Sequence, residues 1–541
     1  MTMHRNKSVD VHRFAMTPRA DIPRSSFRIQ KTHKTTFDAG ILVPIWVDEV
    51  LPGDTFNLRA TIFTRLSTPL FPIMDNMYLD TFFFFVPNRL VWNNWQKFMG
   101  EQEDPGDTTD YLVPQCTCPA GGYAIGSLGD YMGLPTVGQI GPAATVSHSV
   151  MWFRAYNLIY NEWFRDENLQ DSAYMNKTDT GVVDPQNFYF LRRRGKRHDY
   201  FTSCLPWPQK GQSVTIPLGQ QAPVMLHPGG TQTLVYQTGA NAGLPITGDT
   251  VASGGAGQLI GQTAQAQALI DPGNSLYADL SQATAATINQ LRQSFQIQKL
   301  LERDARGGTR YTEIIRSHFG VASPDARLQR PEYLGGGSTP ILVNPIAQNS
   351  ATASGGGTTP LGTLGAMGTG LASGHGFSTS FVEHGMVIGI ACVRADMTYQ
   401  QGLRKMWSRR TRYDYYFPVF SHLGEQAVLN KEIYVQGTPE DEAVFGYQER
   451  WAEYRYNPSQ ITGLFRSTAT GTLDAWHLSQ RFDNLPALQD EFIVEKPPVE
   501  RVVAVPSTVT TPQEFITDMF FDVKAARLMP AYSVPGLIDH F

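Results

Sequence analysis

The chain has 541 residues, of which 41% are hydrophobic and only 17% are charged, against about 25% charged residues in an ordinary globular protein. This length and apolar content exclude a disordered chain, and no apolar stretch approaches the ~18 residues that a membrane-spanning helix needs. The four cysteines are too few for a disulfide framework, and the first residues lack the apolar region of a secretory signal. We therefore expect a folded, loop-rich protein that is made in a cytoplasm and whose weakly charged surface contacts other chains.

The net charge of −5 is unevenly distributed along the chain. Residues 1–34 hold eight basic side chains against Asp10 and Asp21, so this segment carries about +6 and the remainder about −11. Pro18 and Pro23 interrupt any helix there. A basic arm before an acidic body indicates a polyanionic partner, because Lys and Arg neutralise phosphates. The predicted arm spans residues 1–36, and its basic residues are Arg5, Lys7, Arg13, Arg19, Arg24, Arg28, Lys31 and Lys34.

The first clear strand signal begins after residue 54. Apolar residues from Phe56 to Leu66 alternate with polar ones, which is the pattern of a half-buried strand. Residues 77–86 predict a second strand, and the four phenylalanines at 82–85 indicate that both of its faces are covered.

Three helices are expected after these strands. Residues 88–99 predict a short helix capped by Asn88, and residues 149–168 predict a second one with aromatic side chains at helical spacing. A third begins near residue 288 and ends before Gly307 and Gly308.

Two Gly-rich segments look like insertions. Residues 211–280 are rich in Gly, Gln, Thr and Ala, and Asp249 is the only formal charge between residues 212 and 270. An exposed surface protrusion accounts for this composition, and a flexible linker between domains is the alternative. Residues 335–376 predict a Gly-rich loop.

Strand signals return in the last third of the chain. Residues 386–393 form a buried apolar run, and residues 433–435, 492–494 and 521–525 are shorter candidates. Strands at both ends with long excursions between them favour a mainly β, antiparallel sandwich with large insertions over alternating βαβ units.

No catalytic motif is recognisable, so an enzyme is not expected, and neither is a cofactor or a metal ion. Cys116 and Cys118 lack a second ligand pair at zinc spacing and are interpreted as inert thiols. The acidic run at 440–442 is interpreted as a solvated turn. A β-rich glycoside hydrolase would need two distant carboxylates that meet in a cleft, and no motif supports one.

Two clusters combine cations with aromatic residues. Cations neutralise phosphates and rings stack on bases, so each cluster indicates weakly specific binding of single strands. The alternative is that these Arg residues pair with acids of a neighbouring subunit. The first cluster contains Arg192, Arg193, Arg194, Lys196 and Arg197, flanked by Tyr189, Phe190, Tyr200 and Phe201; the second contains Arg404, Lys405, Arg409, Arg410 and Arg412, interleaved with Trp407 and Tyr413.

The tryptophans are expected to serve packing. A sugar-binding role is the weaker alternative for them. The residues considered are Trp92, Trp95, Trp152, Trp163 and Trp451.

Many long motifs, in one order over nearly the whole chain, resemble the major capsid protein of the microviruses, and the gokushovirus branch most closely. The resemblance thins out at 211–280 and 345–375. It is carried by the stretches at 18–27 (PRADIPRSSF), 35–40, 74–89, 92–100, 197–211, 310–311, 330–337 (RPEYLGGG), 404–410 (RKMWSRR) and 447–456.

The resemblance implies an eight-stranded antiparallel jelly roll of the viral capsid type with long loop and helical insertions. Residues 37–541 would form this single capsid domain, and the arm would face the interior. Sixty copies would build a T=1 icosahedral shell, with fivefold, threefold and twofold contacts, around circular single-stranded DNA. The segment 211–280 would then project at the threefold axes, where it could serve attachment to a host surface receptor.

The resemblance also implies partners and a location. Assembly would involve an internal scaffolding protein, a small basic DNA-binding protein and a minor pilot protein, without membrane insertion. The protein would be made in the bacterial cytoplasm and end in the virion. A phage receptor- or glycan-binding protein, which would form a small oligomer, is the alternative function.

Overall fold

The computed structural model describes residues 23–179, 186–212, 214, 288–347, 349, 362–508 and 511–532, and four short strands between residues 224 and 278. Residues 1–22 of the predicted arm therefore lie outside the described part of the chain.

Eight strands form the main sheet: β1 (Ser25–Phe37), β2 (Val43–Val50), β3 (Thr55–Leu66), β4 (Met77–Pro87), β5 (Glu332–Ala347), β6 (Leu364–Ser380), β7 (Gly385–Ala395) and β8 (Phe515–Arg527). They pair in the order β1-β8-β3-β6-β5-β4-β7-β2, and every pair is antiparallel. This order consists of two four-stranded halves, β1-β8-β3-β6 and β5-β4-β7-β2, joined where β5 pairs with β6. It is the arrangement of an eight-stranded jelly roll, and the expected fold class is confirmed.

The two edge strands, β1 and β2, approach each other and nearly close the sheet. The Nδ1 atom of His33 on β1 lies 3.2 Å from the carbonyl oxygen of Ile45 on β2. Beside it, the Lys31 ammonium lies 5.2 Å from the centre of the Trp46 ring. Side chains rather than a strand ladder therefore bridge this side.

The inner faces of the two halves enclose the main hydrophobic core. On β3 the side chains alternate between buried and accessible, as the sequence predicts. Rings from opposite halves meet in this core, since the centroids of Phe83 on β4 and Phe377 on β6 are 5.5 Å apart. The core thereby fixes the two halves against each other.

The outer faces of β4 and β7 are covered as well. Phe84 and Ile388 belong to a second buried cluster together with Phe153 and Tyr156 of the helix Met151–Ile159. This confirms the interpretation of the phenylalanine run and explains why β7 is buried at nearly every position.

Two long insertions, residues 88–331 and 396–514, interrupt the jelly roll after β4 and after β7. The described part of the first contains the strands Gln115–Thr117, Ser147–Ser149, Val224–Leu226, Leu234–Tyr236, Ala268–Ile270 and Leu276–Ala278, the α-helices Trp95–Phe98, Leu128–Tyr131, Met151–Ile159, Ile288–Gly307 and Tyr311–Phe319, the π-helical turn Tyr160–Phe164, and the 3-10 turns Asn88–Leu90 and Gln186–Phe188. The described part of the second contains the strands Glu425–Leu429 and Val444–Glu449, the α-helices Asn430–Ile433, Ala452–Arg455 and Asp490–Ile493, and the 3-10 turns Lys405–Ser408, Arg412–Asp414, Pro418–Phe420, Pro439–Glu442, Gly463–Phe465, Asp474–Trp476 and Val499–Arg501.

The chain divides into two compact units. One spans residues 209–305, and the other comprises the jelly roll with the rest of the insertions. The expected protrusion at 211–280 falls within the first unit, but most of it lies outside the described residues.

The Gly-rich loop predicted at 335–376 is wrong, because β5 and β6 occupy most of this range. Its glycines allow strands to approach each other closely. A Cβ atom on Gly336 would collide with the carbonyl oxygen of Thr81 on β4, and one on Gly376 would collide with the carbonyl oxygen of Leu58 on β3. Composition alone therefore predicts the wrong structure here.

The single helix predicted at 88–99 is also wrong, since a 3-10 turn and a one-turn helix replace it and Asn88 caps neither. Leu90, Val91 and Trp92 are all buried, and three consecutive residues of a straight α-helix cannot all face one core. The second and third predicted helices are confirmed, although the second is shorter than expected.

The short strands predicted at 433–435 and 492–494 are wrong as well. Ile433 and Phe492 lie in one-turn helices and are buried in a third cluster with Phe201. Three apolar residues in a row do not distinguish a strand from a buried turn. The strand predicted at 521–525 is confirmed as part of β8.

Candidate functional site

The described basic residues of the arm lie on or next to β1 and bind neighbouring strands. Arg28 donates two hydrogen bonds to the Asp522 carboxylate on β8, at 2.8 and 2.9 Å, and Lys34 pairs with Asp518 at 2.8 Å. Arg24 donates to the Thr55 hydroxyl at 2.6 Å. These contacts are exposed, so each stabilises the edge strand only weakly. The other four arm candidates, Arg5, Lys7, Arg13 and Arg19, lie outside the described residues.

The first basic cluster connects its insertion to the jelly roll. Arg194 donates to the Asp80 carboxylate on β4 at 2.6 Å, and Arg394 on β7 donates to the same oxygen at 2.9 Å. Burial of Asp80 raises its pKa, but hydrogen bonding from Ser338 and the two guanidinium groups outweigh this and hold that pKa below its ordinary value. The Asp80 carboxylate is therefore ionised, and both of its guanidinium partners belong to the same chain.

The other members of this cluster also find partners in their own chain. Lys196 is buried and donates to the Phe492 carbonyl at 2.5 Å, and burial lowers its pKa to about 8. Arg193 donates to the carbonyls of Ala39 and Glu495.

The two outer guanidinium groups lie against rings. Arg192 lies 3.8 Å from the centre of the Phe190 ring, and Arg197 pairs with Asp396 at 3.0 Å and lies 4.5 Å from the centre of the Tyr78 ring. The cations of the first cluster thus connect the first insertion to the jelly roll within one chain. Sequence reasoning missed this because the acidic partners are far away along the chain.

The second basic cluster is divided between internal and exposed side chains. Lys405 pairs with Glu432 at 3.3 Å, and Arg409 pairs with Glu453 at 3.2 Å. Arg410 and Arg412 are exposed, and the Arg412 guanidinium lies 5.2 Å from the Tyr413 ring centre.

A cavity of about 200 Å³ opens beside this second cluster. Arg404, Arg409 and Arg466 border it together with the rings of Tyr454 and Tyr456. Sequence reasoning found the first part of this site from its cations, but it could not find the distant residues that close the cavity.

The outward face of the β1-β8-β3-β6 half carries an apolar patch. Phe63 on β3 and Leu371 on β6 are directly opposite each other in the register, and they are 45% and 63% exposed. Ile516 and Phe520 on β8 are exposed on the same face. We call these four residues the sheet patch. Asp518 lies opposite Phe63, between Ile516 and Phe520, so the patch surrounds one charged side chain. Exposed apolar side chains grouped on one face are typical of a contact with another chain.

Other kinds of site receive no support within the described ranges. No group of three or more His, Cys, Asp or Glu side chains there could hold a metal ion. All four cysteines are buried, and burial raises the pKa of Cys392 to about 12. None of the described helices has both the length and the apolar character that crossing a membrane requires.

Comparisons with known proteins identify relatives over the full length. Residues 15–537 match the family described as "Capsid protein (F protein)". The chain is 46% identical over 548 residues to "Capsid protein VP1" of Bdellovibrio phage phiMH2K and 44% identical over 598 residues to "Capsid protein VP1" of Chlamydia phage 1, and each match covers 98% of both chains. It is 38% identical over 561 residues to "Capsid protein VP1" of Spiroplasma virus 4, across 97% of this chain and 98% of the relative.

Proposed function

Because this chain belongs to the phage capsid protein (F protein) family, and is thus a structural protein of the virion rather than an enzyme, we propose that sixty copies form a T=1 icosahedral shell around circular single-stranded DNA. The resemblance to microvirus capsid proteins of the gokushovirus branch is confirmed by the relatives. A capsid protein associates with further copies of itself. Sixty is the number of copies proposed here, and circular single-stranded DNA is the proposed cargo.

The sheet patch is the observation that carries the proposal. Its four side chains stand on a rigid eight-stranded framework, yet they are exposed in the single chain. Burying them between copies would recover about 25 cal/mol for each Å² of apolar surface removed from water. A closed shell needs complementary patches on every subunit, and this face supplies one.

The basic arm at 1–36 is proposed to face the interior and to neutralise part of the DNA charge without reading sequence. The contacts of Arg28 and Lys34 hold β1 on the sheet. These two cations are therefore assigned a structural role, distinct from that of the cations earlier in the arm. The arm's DNA contacts are then assigned to the four cations that precede β1 in the chain, Arg5, Lys7, Arg13 and Arg19.

The segment 211–280 is proposed to form the projections at the threefold axes and to attach the particle to a host surface receptor. Its support is that residues 209–305, which include this segment, form a compact unit of their own. Assembly in the bacterial cytoplasm is proposed to involve an internal scaffolding protein, a small basic DNA-binding protein and a minor pilot protein.

The arm's role is tested by replacing its four outermost cations with Gln in particles from producing cells. We expect less nuclease-protected DNA per particle and normal subunit folding, and unchanged DNA content would contradict the role. The arm substitutions are Arg5→Gln, Lys7→Gln, Arg13→Gln and Arg19→Gln, and the control carries Gln at four exposed cations elsewhere, namely Arg59, Arg292, Arg481 and Lys524.

A further inference from the structure

We propose that the cavity beside Arg404, Arg409 and Arg466 is a binding site for single-stranded nucleic acid, in which a base stacks on a tyrosine ring while guanidinium groups contact its phosphates. This inference rests on the proposed enclosure of single-stranded DNA, and it names one place on the subunit where that DNA is held.

Only some of the cations around the cavity have a carboxylate partner in the same chain. Lys405 and Arg409 each have a carboxylate partner in the same chain. Arg466, in contrast, donates at 2.7 Å to the backbone carbonyl of Gln400, which is neutral. Among the described residues, neither Arg404 nor Arg466 pairs with a carboxylate. The cavity wall therefore presents two uncompensated positive charges, which suit an anionic ligand.

The rings at the cavity are suited to stacking. Tyr456 is 52% exposed, so part of its ring is accessible to a ligand. Tyr454 is also half exposed, and its position is fixed by the Arg409 guanidinium 4.3 Å from its ring centre and by Trp451, whose ring centroid lies 6.1 Å away. A ring that is held in place loses little conformational entropy when a base stacks on it.

The surface next to the cavity continues the same chemistry. Trp407 is 70% exposed, and exposed Arg410 and Arg412 follow it along the chain. The Asp414 carboxylate accepts hydrogen bonds from the backbone N–H groups of Arg410 and Thr411, at 2.9 and 2.7 Å, and so holds this turn in shape. Alternating cations and exposed rings are how proteins bind single strands without reading sequence.

A single strand fits this surface better than a duplex or another protein. The bases of a duplex are stacked in pairs and have no free face for a tyrosine ring. A protein partner would have to place two carboxylates next to Arg404 and Arg466, whereas successive phosphates of a strand supply both charges along one backbone. Charge and ring chemistry together therefore favour an unpaired, phosphate-bearing strand.

The test compares full-length subunits, dissociated from shells, for binding of fluorescent oligo(dT) by anisotropy over a series of salt concentrations. The double variant Arg404→Gln/Arg466→Gln should flatten the slope of log affinity against log salt by about 1.4, because each lost phosphate contact removes about 0.7 in single strands. Tyr456→Leu should weaken binding about 5- to 150-fold, as expected for the loss of one stacked base.

Arg481→Gln is the matched control. This exposed cation belongs to the same insertion, lies outside the cavity lining and pairs weakly with Asp483 at 3.4 Å, so its effect should be small. Circular dichroism of each variant confirms that it is folded. In intact particles, ultraviolet cross-links between DNA and the chain should include Tyr454 or Tyr456.

The outcomes separate this inference from the proposed function. Particles that protect single-stranded DNA, but whose cross-links avoid the cavity and whose variants bind oligo(dT) normally, would overturn the inference and leave the shell intact. Variants that bind oligo(dT) normally but fail to assemble would show that the cavity contacts another copy of the chain, which also overturns it. Particles without DNA would refute the enclosure, whereas the anisotropy result would still decide whether the cavity binds a strand.

Discussion

Arg194 and Arg394 both donate to one carboxylate oxygen of Asp80, so a single side chain on β4 ties the first insertion to two strands of the jelly roll. The Asp80 side chain is 6% exposed, and removing the carboxylate would leave two cations poorly compensated in a buried place.

We predict that Asp80→Asn lowers the free energy of unfolding by about 3 to 5 kcal/mol, the cost of breaking a buried ion pair. Urea unfolding measures it. Asp518→Asn removes the exposed partner of Lys34 and should cost less than about 1 kcal/mol. Similar losses for the two variants would contradict the structural role of Asp80.

Stability should decrease from mildly acidic to mildly alkaline pH because of Glu514. This residue precedes β8, is buried, and accepts the backbone N–H of Ala39 at 2.8 Å. Burial raises its pKa to about 7 from an ordinary value of 4.5. Between these two values the folded state holds more protons than the unfolded state, so the free energy of unfolding falls as pH rises.

The effect of Glu514 between pH 4.5 and pH 7 amounts to about 3 kcal/mol at most. Glu514→Gln should remove most of this decrease, since an amide does not ionise and its oxygen can still accept from Ala39. Unfolding measured at pH 5 and pH 8 tests this, with the exposed Glu491→Gln as control. An equally steep decrease in the parent protein and in the Glu514→Gln variant would refute the assignment.

The glycines of β6 differ in how closely a neighbour approaches them. A Cβ atom on Gly376 would collide with the carbonyl of Leu58, whereas a Cβ on Gly365 would meet the Ile346 carbonyl at an ordinary 3.7 Å. Gly376→Ala should therefore cost about 1 to 3 kcal/mol or more, and Gly365→Ala should be nearly neutral. Thermal unfolding compares them, and equal costs would argue against close approach as the reason for the glycine.

The sheet patch predicts an assembly defect without a folding defect. A charge at Leu371 remains hydrated in the single chain, but it would be buried and unpaired in a contact between copies. Leu371→Asp should leave thermal unfolding almost unchanged and should abolish closed particles in sedimentation. Ser378→Asp places the same charge on the same strand, away from the patch. Normal particles from Leu371→Asp would exclude the patch from the contacts.

A local sequence pattern predicts a strand when the burial of that strand is visible in the order of its apolar and polar residues. β3 alternates because one face is buried, and β7 is continuously apolar because both faces are. β5 and β6 escape such patterns, since Gly336 and Gly376 serve a close contact with other strands that only the fold reveals. β1 falls within the predicted arm because an edge strand with many polar residues resembles an extended segment.

The candidate site shows a similar limit. Cation-rich sequences at Arg192 and at Arg404 look alike. Asp80 pairs with Arg194 of the first cluster from more than a hundred residues away, whereas Arg404 of the second has no carboxylate partner among the described residues. Whether a cation is free for a ligand depends on residues that folding brings together, and the sequence alone does not show which residues these are.

A closed shell of this chain around single-stranded DNA can be identified by analytical sedimentation with negative-stain imaging. These methods measure the mass and the nuclease-protected DNA of particles from the cells that produce them. We expect uniform closed particles of sixty copies that contain circular single-stranded DNA. Monomers or small oligomers without protected DNA, from cells that also express the neighbouring genes, would contradict it.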